Sequence, residues 1–245
     1  PSWLVGEKSR GVCRWHRVPD SDRLRPEIAV VDAAEVQRYK DRKGATVVDS
    51  RVVDPFNPTR SWSLEALRGP EGLRRWVNED LVPSSDDVLQ ERLYCIRWVD
   101  AEGNRRYSAP DEADLLRESQ VLTLLRARLE AWQREGFIPS RAIPDGGDKT
   151  DEPIITRGWS HWHHMFTPRQ LLTHGTLAEV FSRSAKTNVL RAAGLLGMGR
   201  IANWDSRLCM WMSNAANEGG SHVFNSLALN PFFNFSNRPL SKLDT

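Results

Sequence analysis

The sequence predicts an α+β protein, rich in strands over its first half and helical over its second. Two patterns carry that prediction. β-Branched and aromatic runs bounded by turn residues crowd the first 107 positions, whereas apolar residues recur at helical spacing, with capping signals, from Pro110 onward. With 245 residues and 40% hydrophobic content, the chain is long enough to bury a sizeable core as one large domain or two small ones.

In the first part, residues 1–107, strands are expected at Ile28–Val31, Thr46–Val48, Val52–Val53 and Tyr94–Val99. The stretch Asp100–Asn104 reads as a hairpin loop leading into Arg105–Ser108. Short helices are expected at Ala33–Arg42 and Leu64–Val77, and the two prolines of Asp54–Pro58 require a loop between them. Residues 108–136 read as one long amphipathic helix. Pro110 stands at its start, Asp111, Glu112 and Asp114 complement its dipole, Leu115, Leu122, Leu125, Leu129 and Trp132 form its stripe, and Gly136 ends it. Residues 137–156, with Pro139, Pro144, Gly146, Gly147 and Pro153, form a crossing loop.

Residues 157–245 read as a helical region with a basic and aromatic face. Thr167-Pro-Arg-Gln170 is a capping box, flanked by Phe166 and Leu171 at the positions of a hydrophobic staple, so a helix should run from here to about Arg183. Further helices are expected near Thr187–Met212 and Phe224–Phe235, the latter broken at Pro231.

No run approaches the roughly 18 apolar residues of a membrane span, and the first thirty residues are charged rather than signal-like. Cys13, Cys95 and Cys209 are odd in number and lack C-x-x-C spacing, which fits a reduced, cytoplasmic setting and supports neither a disulfide framework nor a zinc ribbon. The first methionine is Met165, and the chain is expected to be an internal piece of a longer protein.

A net charge of +2 hides a local excess: Arg157, Arg169, Arg183, Lys186, Arg191, Arg200 and Arg207 face only Glu179 and Asp205 between residues 157 and 207. Interleaved with Trp159, Trp162 and Trp204, these cations suit a polyanion such as DNA, and they equally suit a solvated helical face over a Trp-containing core. The cluster Trp159-Ser-His161-Trp162-His163-His164 invites a metal reading, and with it a metal-dependent nuclease. Adjacent His163 and His164 project in different directions and no carboxylate or cysteine accompanies them, so the sequence offers no metal-ligand set here. Their position just before the Thr167 helix start makes Trp159, His161, Trp162, Thr167, Arg169 and Gln170 the candidate nucleic-acid or substrate contacts. Asp54-Pro-Phe56 and Asn230-Pro-Phe-Phe233 are incomplete versions of an amino-methyltransferase turn, and no phosphate loop or hydrolase motif is present, so the sequence points to no catalytic residue.

The order of the segments Pro1–Lys8, Asp86–Tyr94, Leu125–Pro139, Gly158–Leu172 and Asn203–Cys209 resembles the large prokaryotic adenine-specific DNA methylases associated with phage-defence gene clusters. The resemblance implies an S-adenosylmethionine-dependent DNA amino-methyltransferase, acting on adenine N6 after base flipping, with a doubly wound α/β catalytic fold of which this chain is an α+β portion. It implies that the cofactor is bound mainly by regions outside this chain, with DNA and other phage-defence proteins as partners. The zinc ribbon of some relatives has no cysteine pair here. The alternative is a noncatalytic DNA-binding or docking module of a defence complex.

Overall fold

The computed structural model describes residues 2–21, 23–41, 47–54, 56–57, 59–68, 73–146, 150–216 and 218–223. It is mixed α and β, with small sheets and seven α-helices among the described residues. The chain divides into two compact units, each assembled from three stretches: one from 1–69, 91–115 and 212–219, the other from 70–90, 116–211 and 220–245.

The first unit opens with three antiparallel strands, β1 (Ser2–Gly6), β2 (Gly11–Arg17) and β3 (Leu24–Val30), in which Cys13 is the partner of both Trp3 and Ile28. Helix α1 (Ala33–Lys40) follows, started by Asp32, whose carboxylate accepts from the Glu35 N–H at 2.7 Å. Its Val36 packs with Val12 and Val31. A second sheet joins β4 (Val47–Val48), β5 (Arg51–Val53) and β6 (Ser61–Ser63), which runs into the short α2 (Leu64–Arg68). The hairpin β7 (Ile96–Val99) and β8 (Arg105–Ser108) closes over Asp100, whose carboxylate accepts from the Asn104 N–H. The stretch 212–219 is fastened here by buried Glu218, which accepts from the Ser9 N–H at 2.6 Å and the Tyr107 hydroxyl at 3.2 Å.

The second unit is built from α3 (Glu112–Arg126) from residue 116 onward, α4 (Leu129–Glu135), α5 (Glu152–Arg157), a 3-10 turn (Trp162–Met165), α6 (Pro168–Ser184) and α7 (Asn188–Ala202). The remaining described elements are the two-residue strands β9 (Trp211–Met212) and β10 (Gly219–Gly220), which pair with each other where the chain leaves and re-enters this unit. Leu81, Leu125, Leu129, Trp132, Ile138 and Leu171 form its core, each aliphatic side chain worth about 2 kcal/mol when taken fully from water. Helix α6 approaches Trp132 so closely that a Cβ on Gly175 would lie 2.3 Å from the indole.

The structure corrects several sequence boundaries. The helix expected across 108–136 is two helices, separated by a turn at Ala127–Arg128 where the Arg128 N–H bonds the Leu125 carbonyl. That turn lets Leu129 and Trp132 join Leu125 in the core, while Leu115, on the predicted stripe, is exposed. Within the expected helix Leu64–Val77, only Leu64–Arg68 is helical among the described residues; residues 73–77 have no regular structure, the Trp76 N–H bonding the Gly158 carbonyl, and residues 69–72 lie outside the described residues. Tyr94 precedes β7 rather than lying in it, and packs edge-on against Trp3. Helix α7 stops at Ala202 instead of near Met212, since the Arg207 N–H is used by the Met165 carbonyl. The crossing loop contains the one-and-a-half-turn α5 and a bridge between Ala142 and His161. The helix expected at Phe224–Phe235, and the motif at Asn230–Phe233, lie outside the described residues.

Candidate functional site

The sequence singled out the stretch from Trp159 to Gln170, and the second unit builds it into a buried polar layer. Gly158 caps α5 at φ 75°, a conformation glycine adopts without strain, and a Cβ there would lie 2.0 Å from the Arg74 carbonyl oxygen. The close approach brings residues 74–81, which have no regular secondary structure, against the histidine cluster.

Each histidine holds this crossing. The buried His163 donates from Nε2 to the Asn78 carbonyl at 2.9 Å, and its Nδ1 lies 3.5 Å from the Gln133 amide nitrogen. His164 accepts at Nδ1 from the Ser160 and His161 N–H groups, both at 3.2 Å, which places its own proton on Nε2. That Nε2 has no hydrogen-bond partner in ideal geometry, the Val77 carbonyl being its neighbouring acceptor. Ser160 donates its hydroxyl to the Trp76 carbonyl, and His161 Nδ1 lies 2.8 Å from Ser160 Oγ. Burial first, then the neighbouring imidazoles and Arg207, push His164 down to about 3; burial likewise pushes His163 down to about 4 and lowers half-exposed His161. At neutral pH these rings are uncharged struts.

Arg207 lies at the centre of the layer. Fully buried, it donates to the carbonyls of His164 at 2.8 Å, Leu81 at 3.0 Å and Phe166, and its guanidinium stands 5.6 Å from the ring centroids of both Trp76 and Trp159. Trp159 is 5% exposed, with the Arg157 guanidinium also 5.5 Å from its ring centroid, so its faces are not open for a base to stack on. Trp162 is half-buried on the 3-10 turn.

The predicted capping box is present in full. The Thr167 hydroxyl accepts from the Gln170 N–H at 3.3 Å, and Gln170 Oε1 accepts from the Thr167 N–H at 2.8 Å. The structure adds a partner that sequence spacing does not reveal: Gln170 Nε2 donates to Asp205 Oδ1 at 2.9 Å. The other Asp205 oxygen lies 3.3 Å from His174 Nε2, within ion-pair reach but off the hydrogen-bond line. Asp205, Arg207 and His174 were not among the candidates, and their burial beside an aromatic-rich stretch is a tertiary property that no local pattern announces. Arg169, by contrast, faces outward and is held by Glu118 of α3 at 2.8 Å.

Chemically, this layer organises backbone. Ser160 is buried with its proton committed, and burial pushes the thiols of Cys13 and Cys95 up to about 12, leaving no thiolate at neutral pH. Among the described residues no group of three or more His, Cys, Asp or Glu is placed to hold a metal ion. Asp54, in the incomplete methyltransferase turn, is spent locally, accepting from the Phe56 and Asn57 N–H groups. No helix among the described residues is long and apolar enough to cross a membrane. No family model, curated protein or solved structure matches the chain.

Proposed function

We propose that this chain is the recognition and scaffold region of an S-adenosylmethionine-dependent DNA amino-methyltransferase, acting on adenine N6 in phage defence or restriction-modification. One observation carries the reading. The two sequence blocks most characteristic of the resemblance, Gly158–Leu172 and Asn203–Cys209, interlock through Gln170 with Asp205 and through Arg207 with the carbonyls of His164 and Phe166. Blocks joined by buried polar bonds form one working part, and residues that bond backbone so fully suit a platform that positions DNA beside a catalytic domain. In this reading the cofactor and the catalytic turn belong to flanking regions, and Trp162, His161 and Arg169 are the members of the cluster with surface open to DNA.

The test is methyl transfer by the full-length protein, with labelled S-adenosylmethionine, unmodified DNA and identification of the product nucleoside. N6-methyladenine supports the proposal. Absence of both transfer and cofactor binding favours the second reading, a noncatalytic docking module, for which the specific observation is the outward apolar face of α7.

A further inference from the structure

Helix α7 buries none of its fifteen residues. Its inward side meets α6 at Gly194, where a Cβ would stand 2.9 Å from the Phe181 ring. At 100° per residue the opposite side carries Val189, Ala192, Ala193 and Leu196, all exposed, with Val189 and Leu196 each 78% accessible. Leu195, 61% accessible, extends this apolar surface along the row Leu195, Gly199, Ala202. The row ends at a cavity of about 300 Å³ walled by Met165, Phe166, Gly199, Ala202, Leu208 and Asn203, ample for one large apolar side chain. Asn203 Oδ1 is buried there without a hydrogen-bond partner among the described residues.

Charge decides what covers this face. From Ala185 to Asn203 the chain carries Lys186, Arg191 and Arg200, all exposed, and no acid. A second copy of α7 would set these cations against their own kind, and residues 224–245, with Arg238 and Lys242 against Asp244, also bring net positive charge. Complementarity requires carboxylates around an apolar stripe.

We propose that α7 and the cavity at its C-terminal end form a docking groove for an acidic amphipathic helix of a partner protein, with one large apolar side chain of that helix seated between Gly199 and Leu208. The groove runs along α7 and borrows only Met165 and Phe166 from the Trp159–Gln170 stretch for its cavity wall, so it requires neither methyl transfer nor DNA contact by that layer.

The test uses the whole chain and a fluorescein-labelled synthetic helix bearing leucines at i, i+4 and i+7 flanked by glutamates, with a lysine-flanked version as control. Saturable binding of the acidic peptide alone is expected, weakened by salt and at least about tenfold by Leu196→Asp, the loss of one buried apolar anchor. Gly199→Leu should weaken it similarly by filling the cavity, and a Cβ at Gly199 meets nothing within 4 Å, so the helix accommodates it. Unchanged circular dichroism confirms that both variants fold. The proposal is overturned by absence of saturable binding, by equal binding of the lysine peptide, or by full affinity in Leu196→Asp. It is also overturned by a sedimenting dimer that Leu196→Asp dissolves, or by binding to phosphatidylglycerol vesicles in place of the peptide.

Discussion

Gln170 and Asp205, thirty-five positions apart in sequence, are joined at 2.9 Å by a buried amide-to-carboxylate hydrogen bond. The same Gln170 side chain closes the α6 capping box, so a local helix signal and a tertiary bond share one residue. Thr167→Ala, which removes only the cap, should cost about 1 kcal/mol. Gln170→Ala removes the return bond and deprives a buried carboxylate of a donor, and should cost about 2 to 4 kcal/mol. Gln170→Glu should cost at least as much, because it replaces the donor with a second carboxylate facing Asp205. Urea denaturation of the three variants checks the order; equal losses in Thr167→Ala and Gln170→Ala would mean that the Asp205 bond contributes nothing.

The α6 start was legible because Thr167, Pro168 and Gln170 bond among themselves, and Gly136 ends α4 in the left-handed conformation for an equally local reason. The hairpin over Asp100–Asn104 is legible on the same ground. The misjudged boundaries are those where a distant partner outbids local pattern: Trp76 gives its N–H to Gly158, and Arg207 gives its own to Met165. Likewise Trp159, Thr167 and Gln170 are marked by their neighbours in sequence, whereas Asp205 and Arg207 are not. Those two become interior only when the turn after α7 folds back on the 3-10 turn.

Arg207 should be the least replaceable residue of the layer. Arg207→Met keeps much of the side-chain volume but leaves the carbonyls of Leu81, His164 and Phe166 without this donor, an expected loss of about 3 to 5 kcal/mol. Arg207→Lys keeps the charge but cannot reach three carbonyls in a fork, and should recover less than half of that loss. Thermal unfolding, followed by near-ultraviolet circular dichroism from Trp76 and Trp159, measures both. Full stability in Arg207→Lys would show that charge alone, not the planar fork, holds the layer.

Gly158→Ala combines a positive φ with a Cβ only 2.0 Å from the Arg74 carbonyl oxygen. The conformational penalty alone is about 1 kcal/mol, and the backbone contact adds to it because no flexible side chain can move aside. A loss of about 3 kcal/mol or more is expected. Gly197→Ala, where a Cβ meets nothing within 4 Å in mid-helix, should instead be neutral or stabilise by up to about 1 kcal/mol. Comparable losses at both sites would refute the close-approach account of Gly158.

Arg169 separates a structural role from a DNA-binding one. Its ion pair with Glu118 is about one-third exposed on both sides, so Arg169→Ala should change stability by no more than about 1 kcal/mol. If Arg169 also neutralises a phosphate, the same change in the full-length protein should reduce the slope of log affinity against log salt by about one. Glu118→Gln, which releases Arg169, should then tighten DNA binding. Unaltered affinity and salt slope in Arg169→Ala would remove Arg169 from the interface.

The histidine layer makes a signed prediction about acid. His163 and His164 are held near 4 and 3 in the folded state, below the ordinary value of about 6.5 they regain on unfolding. Below that value the unfolded chain binds more protons than the folded one, so stability present above pH 6.5 falls as pH drops towards the folded values. Each histidine contributes a slope of up to about 1.4 kcal/mol per pH unit, reduced to the extent that solvent reaches the rings. Two together should therefore release close to two protons on folding at pH 5. His164→Gln should flatten the dependence by about one proton, even where its lost backbone bonds lower stability at neutral pH. Urea midpoints between pH 4.5 and 7.5 give the slope directly. A pH-independent midpoint in the native sequence, or a slope that His164→Gln leaves intact, would show that the rings carry protons inside the fold and do not act as neutral struts.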